Sequence, residues 1–143
     1  MNIPTSAHPD LSNLDIPIDS WTKPFWEAAA LQQLVMPRCG DCQQFRWPPG
    51  PFCPACRSQH VEWLPAGAGQ IYSFTIVHAK RTDASPSQQL VPALIEFPQA
   101  GGMRLLAAVV DTPLSAIRIG AQVKPHWSQA VNAMVPVFKV LST

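Results

Sequence analysis

The sequence predicts a mainly β protein in two parts, a small cysteine-stapled ribbon followed by a five-stranded barrel, with one short helix ahead of both. Three observations lead there. Four cysteines fall as two C-x-x-C pairs ten residues apart, Cys39 and Cys42 then Cys53 and Cys56. From Gly69 the chain alternates β-rich runs with turn chemistry, at 69–79, 90–97, 103–110, 121–127 and 133–141, which makes five strands. A helical pattern ahead of the ribbon covers only about residues 23–32.

The chain has 143 residues, room for one ordinary core or for a metal-stapled module joined to a compact β domain, and too few for two large domains. Charged residues make up 13% and hydrophobic ones 47%, about half the usual charged share. Such a surface is poor in charge, as expected where part of it lies against another subunit. Lys plus Arg total 10, Asp plus Glu total 9, and the formal net charge is +1. That offers no long-range field for a polyanion, so non-specific nucleic-acid binding is not expected. The first twenty residues lack Lys and Arg, are broken by Pro4, Pro9 and Pro17, and carry Asp10, Asp15 and Asp19, unlike a signal peptide. No run approaches the roughly eighteen apolar residues of a membrane helix. The expected compartment is the cytoplasm, where four cysteines serve a metal in preference to disulfides.

In chain order, residues 1–20 read as an extended arm, ordered only where something holds it. Residues 21–33 form the N-terminal helical segment: Thr22 is placed to cap it, Pro24 sits in a tolerated early position, and Phe25, Trp26, Glu27 and three alanines follow. Phe25 and Trp26 admit two readings, domain core or a docking anchor on a partner, because a short helix with two large rings has little local core to fill. Residues 34–66 form the ribbon. Leu34, Val35 and Met36 lead into the first knuckle, and Pro48, Pro49, Gly50 and Pro51 turn the chain back toward the second.

Residues 67–143 form the barrel. In its first strand Ile71, Ser73, Thr75 and Val77 alternate with Tyr72, Phe74, Ile76 and His78, which predicts one more aromatic face. Asp83, Ser85, Pro86 and Ser87 make a long polar loop, Gln99–Gly102 a hairpin turn, and Thr112, Pro113 and Ser115 start a longer connection holding a helical turn. Gly120 marks entry to the fourth strand. Five strands with a long third connection suit an OB-fold barrel.

Two residues between the cysteines of each knuckle let both thiolates reach one ion, and two knuckles complete an all-thiolate tetrahedral site in a rubredoxin-like hairpin. Iron, disulfides and free thiols compete with zinc. Iron knuckles usually follow their second cysteine with glycine, whereas Gln43 and Arg57 follow here, which favours one structural zinc. Four thiolates leave no open position for water or substrate, so the ion's expected role is folding. No activated nucleophile is visible. The cysteines are claimed, and no G-x-S-x-G elbow, glycine-rich phosphate loop or H-E-x-x-H helix occurs. His8 lies in the arm, His60 beyond the last knuckle, and His126 is expected to be exposed beside Trp127; His78 ends a strand beside Lys80 and Arg81. Lys80, Arg81, Arg104, Arg118 and Lys124 are candidates to hold phosphates if they converge, and solvated charges otherwise.

The order of motifs is more specific than any one knuckle. P-F-W-E-A (24–28), M-P-R-C-G-D-C (36–42), F-R-W-P-P (45–49), C-P-A-C (53–56), Y-S-F-T-I-V-H (72–78) and R-I-G (118–120) span about residues 21–140. Together they resemble the acyl-CoA-associated OB-fold proteins with an N-terminal rubredoxin-like zinc ribbon, long catalogued as a domain of unknown function. The resemblance implies a non-catalytic accessory or scaffold subunit in a hetero-oligomer. It would dock on a thiolase-fold enzyme (an acyltransferase, thiolase or aldolase), or on a hot-dog-fold enoyl-CoA hydratase, and help to bind acyl-CoA, with neither nucleic acid nor membrane as partner. Two departures stand out: Gln32 where a glycine usually ends the helix, and K-P-H-W at 124–127. Trp47, Tyr72, Phe74, Lys80 and Arg81 are the candidate ligand or partner surface, since aromatics give area and cations meet phosphates. Phe25 and Trp26 are the candidate docking helix. The alternative is a single-stranded nucleic-acid-binding protein with Tyr72 and Phe74 as stacking platforms, against which the net charge argues. Rubredoxin-like electron transfer is a third reading, which red, iron-loaded protein would reveal.

Overall fold

The computed structural model describes residues 3–79 and 88–142, as strands with a single α-helix. That helix, α1, spans Lys23–Ala30 with proline in its first turn. Thr22 does not cap it with its side chain. The Asp19 carboxylate accepts the amides of Trp21 and Thr22 instead, both at 2.9 Å. The helix ends in the turn a glycine would have made, because Gln32 adopts the left-handed conformation with φ 59°. Its amide bonds Ala29 O at 2.8 Å and that of Gln33 bonds Ala28 O at 2.9 Å, the paired closure of a Schellman motif.

In the ribbon, β1 (Val35–Cys39) pairs antiparallel with β2 (Val61–Pro65), from Val35 opposite Pro65 to Cys39 opposite Val61. The barrel follows as β3 (Gly69–Phe74), β4 (Val77–Ala79), β5 (Gln88–Phe97), β6 (Met103–Val109), β7 (Gln122–Gln129) and β8 (Met134–Val140). The strands are ordered β3-β7-β8-β6-β5-β4, and β3 pairs with β5 as well as with β7, so the sheet closes on itself. β6 and β8 run parallel and the other pairs antiparallel. This is the predicted five-stranded OB barrel with its first strand broken into β3 and β4. A 3₁₀ turn at Leu114–Ala116 occupies the third connection, and Gly101 and Gly102 turn the β5–β6 hairpin with φ 65° and 71°.

The alternation expected along the first strand is corrected by a bulge. Ile71 pairs with Ile95 but Ser73 with Leu94, so Tyr72 is the extra residue and everything after it changes face. Ile71 is fully buried, Phe74 and Ile76 also pack on the core, and Tyr72 is left outside, 42% exposed. Tyr72 and Phe74 therefore share no face.

One core serves ribbon and barrel together. Met36 of β1 is buried in the same cluster as Ile71, Ile95, Phe97, Val109 and Phe138, with Leu34, Phe45 and Trp47 packed against it. The arm is held too. Thr5 bridges Pro113, the amides of Ser6 and Ala7 bond Thr112 O and Gln89 O at 2.9 Å, and Ile16 exchanges two 2.8 Å bonds with the Asn132 side chain. Among the described residues no helix is long and apolar enough to cross a membrane.

Candidate metal centre and adjoining groove

The two knuckles repeat one local design. The amides of Gln43 and Arg57 bond back to Cys39 O and Cys53 O, while those of Cys39 and Cys53 bond Gln44 O and Ser58 O, all within 2.8–3.0 Å. The amides of Cys42 and Ala55 approach the Cys39 and Cys53 sulfurs at 3.5 and 3.4 Å. Gln43 and Arg57, each following the second cysteine of its pair, both take positive φ, 66° and 65°. This is the position where a glycine spares strain. Gly40 is fixed by proximity: a Cβ there would run into the His60 ring, whose carbonyl accepts the Gly40 amide at 2.9 Å.

The four sulfurs lie within 4.8 Å of one another, with Cys39–Cys56 and Cys42–Cys53 at 3.5 Å. A tetrahedron with metal–sulfur bonds of about 2.3 Å has edges of about 3.8 Å, so the spacing fits an ion at the centre. The electrostatics fit as well. The Cys42 amide lowers Cys39, and the Cys56 amide draws Cys53 down to about 6. At Cys42 the Gln44 amide also lowers the value, but desolvation and the other thiols outweigh it and push the group up to about 12. The Ser58 amide at Cys56 is likewise outweighed, first by Cys39, and that thiol is raised. Two thiols are thus drawn down and two pushed up, and a central cation would favour the thiolate form of all four. The ribbon also buries Arg46, 5% exposed, whose Nε and Nη1 meet no partner. Its Nη2 donates to Gly50 O at 3.3 Å, which ties the side chain to the turn between the knuckles.

Beside the ribbon lies an apolar groove of about 390 Å³. β6 and β8 pair only at Val109 and Phe138. Toward Leu105–Ala108 and Val135–Val137 the strands form the groove floor, and α1 and the ribbon loop wall it with Phe25, Trp26, Trp47 and Pro48. The arm adds Pro9 and Leu11. Phe25, 4% exposed, sits edge-on to Trp26 with centroids 4.9 Å apart and tilted to Trp47 at 5.1 Å. Phe25 is thus core and half-buried Trp26 lines the cavity. No residue lining it is ionisable.

Of the predicted surface, the structure brings Trp47 together with Phe25 and Trp26, and separates them from Tyr72. Tyr72 lies under the Arg104 guanidinium at 3.6 Å, and Arg104 in turn pairs with Glu96 at 3.3 Å. Lys80 and Arg81 fall outside the described residues. His126 is half-buried and not exposed as expected, with Nε2 lacking a partner; burial, then Lys139 and Lys124, lower its pKa. His8 is held by Asp111 at 2.6 Å. The β6 and β8 residues of the groove escaped sequence reasoning because each reads as ordinary strand.

A ribbon with four clustered cysteines feeding an OB barrel defines the class, a zinc-ribbon OB-fold protein. The chain belongs to the ChsH2 (DUF35) family: residues 26–62 match its rubredoxin-like zinc ribbon domain and 65–128 its C-terminal OB-fold domain. A chain of the solved Ltp2-ChsH2(DUF35) aldolase is 34% identical, with a TM-score of 0.75 over 88% of this chain and 98% of that one. A DUF35 protein of unknown function from Sulfolobus solfataricus, 19% identical, shares the fold with a TM-score of 0.63 over 86% and 85% of the two chains. Among curated relatives, a probable enoyl-CoA hydratase alpha subunit from Thermomonospora curvata is 37% identical over 80% of this chain. A DUF35 domain-containing scaffold protein from Methanocaldococcus jannaschii is 30% identical over 64%. The chain spans only 36% of the former's length and 64% of the latter's.

Proposed function

We propose that this chain is a non-catalytic accessory subunit of a multicomponent acyl-CoA-processing complex, docking on a thiolase-fold enzyme and holding one structural zinc on Cys39, Cys42, Cys53 and Cys56. The observation that carries the reading is the chemistry of the groove. It offers apolar area walled by Phe25, Trp26 and Trp47, yet no lining residue is ionisable. Such a surface takes up an apolar chain or an apolar partner element and has no group to transfer a proton to or from a reacting atom. The relative that is part of an aldolase and the relative named a scaffold support the assignment of chemistry to a second subunit. A bound hydratase or aldolase subunit, in the cytoplasm, completes the picture.

The test is co-purification of the tagged chain with the enzyme encoded beside it, followed by turnover assays on each component and on the pair. The expected result is a stable hetero-oligomer whose activity resides in the partner. Enzymatic turnover of acyl-CoA by this chain alone refutes the proposal.

A further inference from the structure

Trp26 is a wall shared by two cavities. On one side lies the apolar groove, and on the other a cleft of about 320 Å³ between α1, Ile18 of the arm and the turn from β7 into β8. The groove takes Val135–Val137 and the cleft Asn132, Ala133 and Met134, so the two follow one another along the chain with centres within about 10 Å. The Trp26 ring is the ridge between them, set edge-on against buried Phe25. Nearly all of the groove's surface is apolar, main chain included, and its side-chain polar atoms are confined to the Thr22 hydroxyl and the indole N–H groups of Trp26 and Trp47. An extended peptide laid there leaves its amides and carbonyls unpaired, whereas a helix satisfies its own. Apolar side chains four or seven positions apart on a helix stand about 6 or 10 Å apart, the span of the two cavities.

Charge selects among helices. Residues 1–33 hold four of the chain's nine acidic residues but only one of its ten basic ones, Lys23. Glu27 lines the cleft and meets only Lys23, at 3.7 Å, with both side chains well exposed. Asp15, exposed beside the Ile16 that Asn132 pins, has no ion pair among the described residues. Leu14, Ile18 and Val131 are exposed apolar residues of the same region, with the Val131 amide bonded to Leu14 O at 2.9 Å. Carboxylates around apolar cavities attract lysine or arginine beside an apolar stripe and repel an anionic ligand.

We propose that α1, the arm and β8 dock a basic amphipathic helix of a partner protein, one apolar side chain entering the groove and a second entering the cleft across Trp26, with Asp15 and Glu27 meeting its lysines or arginines. That the helix belongs to the partner enzyme rests on the proposed accessory role; the surface and its charge do not.

The experiment is a titration, followed by calorimetry and tryptophan emission, of the full-length, metal-loaded protein at low salt with two synthetic amphipathic peptides of about fourteen residues. They share a leucine stripe, and the polar face is lysine in one and glutamate in the other. The lysine peptide is expected to bind about tenfold tighter than the glutamate one, by a margin that shrinks as salt rises. Asp15→Asn combined with Glu27→Gln should close most of that gap, while Ser115→Lys, at an exposed position outside both cavities, should leave it. Trp26→Ala should weaken binding of the lysine peptide roughly tenfold, the loss of a central aromatic anchor, with Trp26→Phe restoring part of it. The proposal is overturned if neither peptide binds, if both bind alike, or if the variants bind as the unaltered chain does. Melting temperature and metal content guard against misfolding, and the exposed Asp15 and Glu27 changes remain informative if Trp26→Ala unfolds. Capture of the enzyme encoded beside this chain separates the two readings. A complex indifferent to all of these variants refutes the docked helix and leaves the accessory role standing, whereas no complex at all refutes the accessory role and leaves the peptide titration to decide the surface.

Discussion

Truncating Phe25 to alanine tests whether α1 is part of the core or a free docking element. The helix has 8 residues, below the roughly 12–15 that an isolated helix needs in water, so its place depends on what it packs against. Phe25 is 4% exposed and its ring meets both Trp26 and Trp47. Removing such a side chain costs about 3–5 kcal/mol. For a chain of 143 residues the unfolding entropy is about 0.3 kcal/mol/K, so the melting temperature should fall by about 10–17 °C. Trp26→Ala, at a half-buried cavity wall, should cost less than half as much while enlarging the groove. Scanning calorimetry on metal-loaded protein reads both numbers, and the emission maximum of the remaining tryptophans should shift red in Phe25→Ala as Trp47 loses its cover. If Phe25→Ala melts within about 3 °C of the parent, Phe25 does not hold α1 in the core and the ring is free to serve as an anchor on a partner.

Stripping the metal with a chelator, or replacing Cys39 with serine, should unfold the ribbon, because ligation is worth on the order of 10 kcal/mol in comparable modules; far-UV circular dichroism and metal analysis check this, and the loaded protein should be colourless with zinc. Gln43→Gly and Arg57→Gly should each relieve left-handed strain worth about 1 kcal/mol, raising the melting temperature and the metal affinity in a chelator competition; weaker metal binding in both would contradict the knuckle geometry. His126 is held below the ordinary imidazole value in the folded state, so the unfolded chain takes up the extra proton. The stability this gives is complete above about pH 6.5 and is lost as pH falls through the folded value, and His126→Gln should flatten that acid limb in urea titrations.

What the sequence made legible was whatever depends on local spacing. The knuckles, the Gly101–Gly102 hairpin, the 3₁₀ turn in the third connection and the paired C-x-x-C cluster all follow from residues a few positions apart. Gln43 and Arg57 stand where an iron knuckle usually has glycine, and the structure gives both the left-handed conformation glycine favours. What was not legible depends on register between distant strands. A single extra residue at Tyr72 reversed the predicted face of Phe74, and no local pattern marks a bulge. That Lys139 faces Lys124 and pairs with Asp111 was equally invisible, since the first depends on the register of β7 and β8 and the second on where the chain leaves β6. An extended arm is ordered only where something holds it, and its holders, Thr112, Gln89 and Asn132, lie far along the chain.

The ion and the groove are coupled through the loop between the knuckles. Residues 43–52 contain no regular strand or helix, yet they place Trp47 against Phe25 and Phe45 against the barrel core. Ordering ten such residues costs about 10–20 kcal/mol of backbone entropy. Ligation of a structural zinc supplies about 10–16 kcal/mol, a quantity of the same size. The loop is also tied to β1, through the Arg46 amide on Pro37 O at 3.0 Å and the Arg38–Phe45 bridge, so ligation and packing hold it together. Without an ordered loop the groove keeps Leu105–Ala108, Val135–Val137 and the α1 side but loses Trp47, Pro48 and Pro49. An ion held by the four cysteines would thereby shape the groove without taking part in any chemistry there, and metal-stripped protein should show Trp47 more exposed to a quencher than metal-loaded protein does.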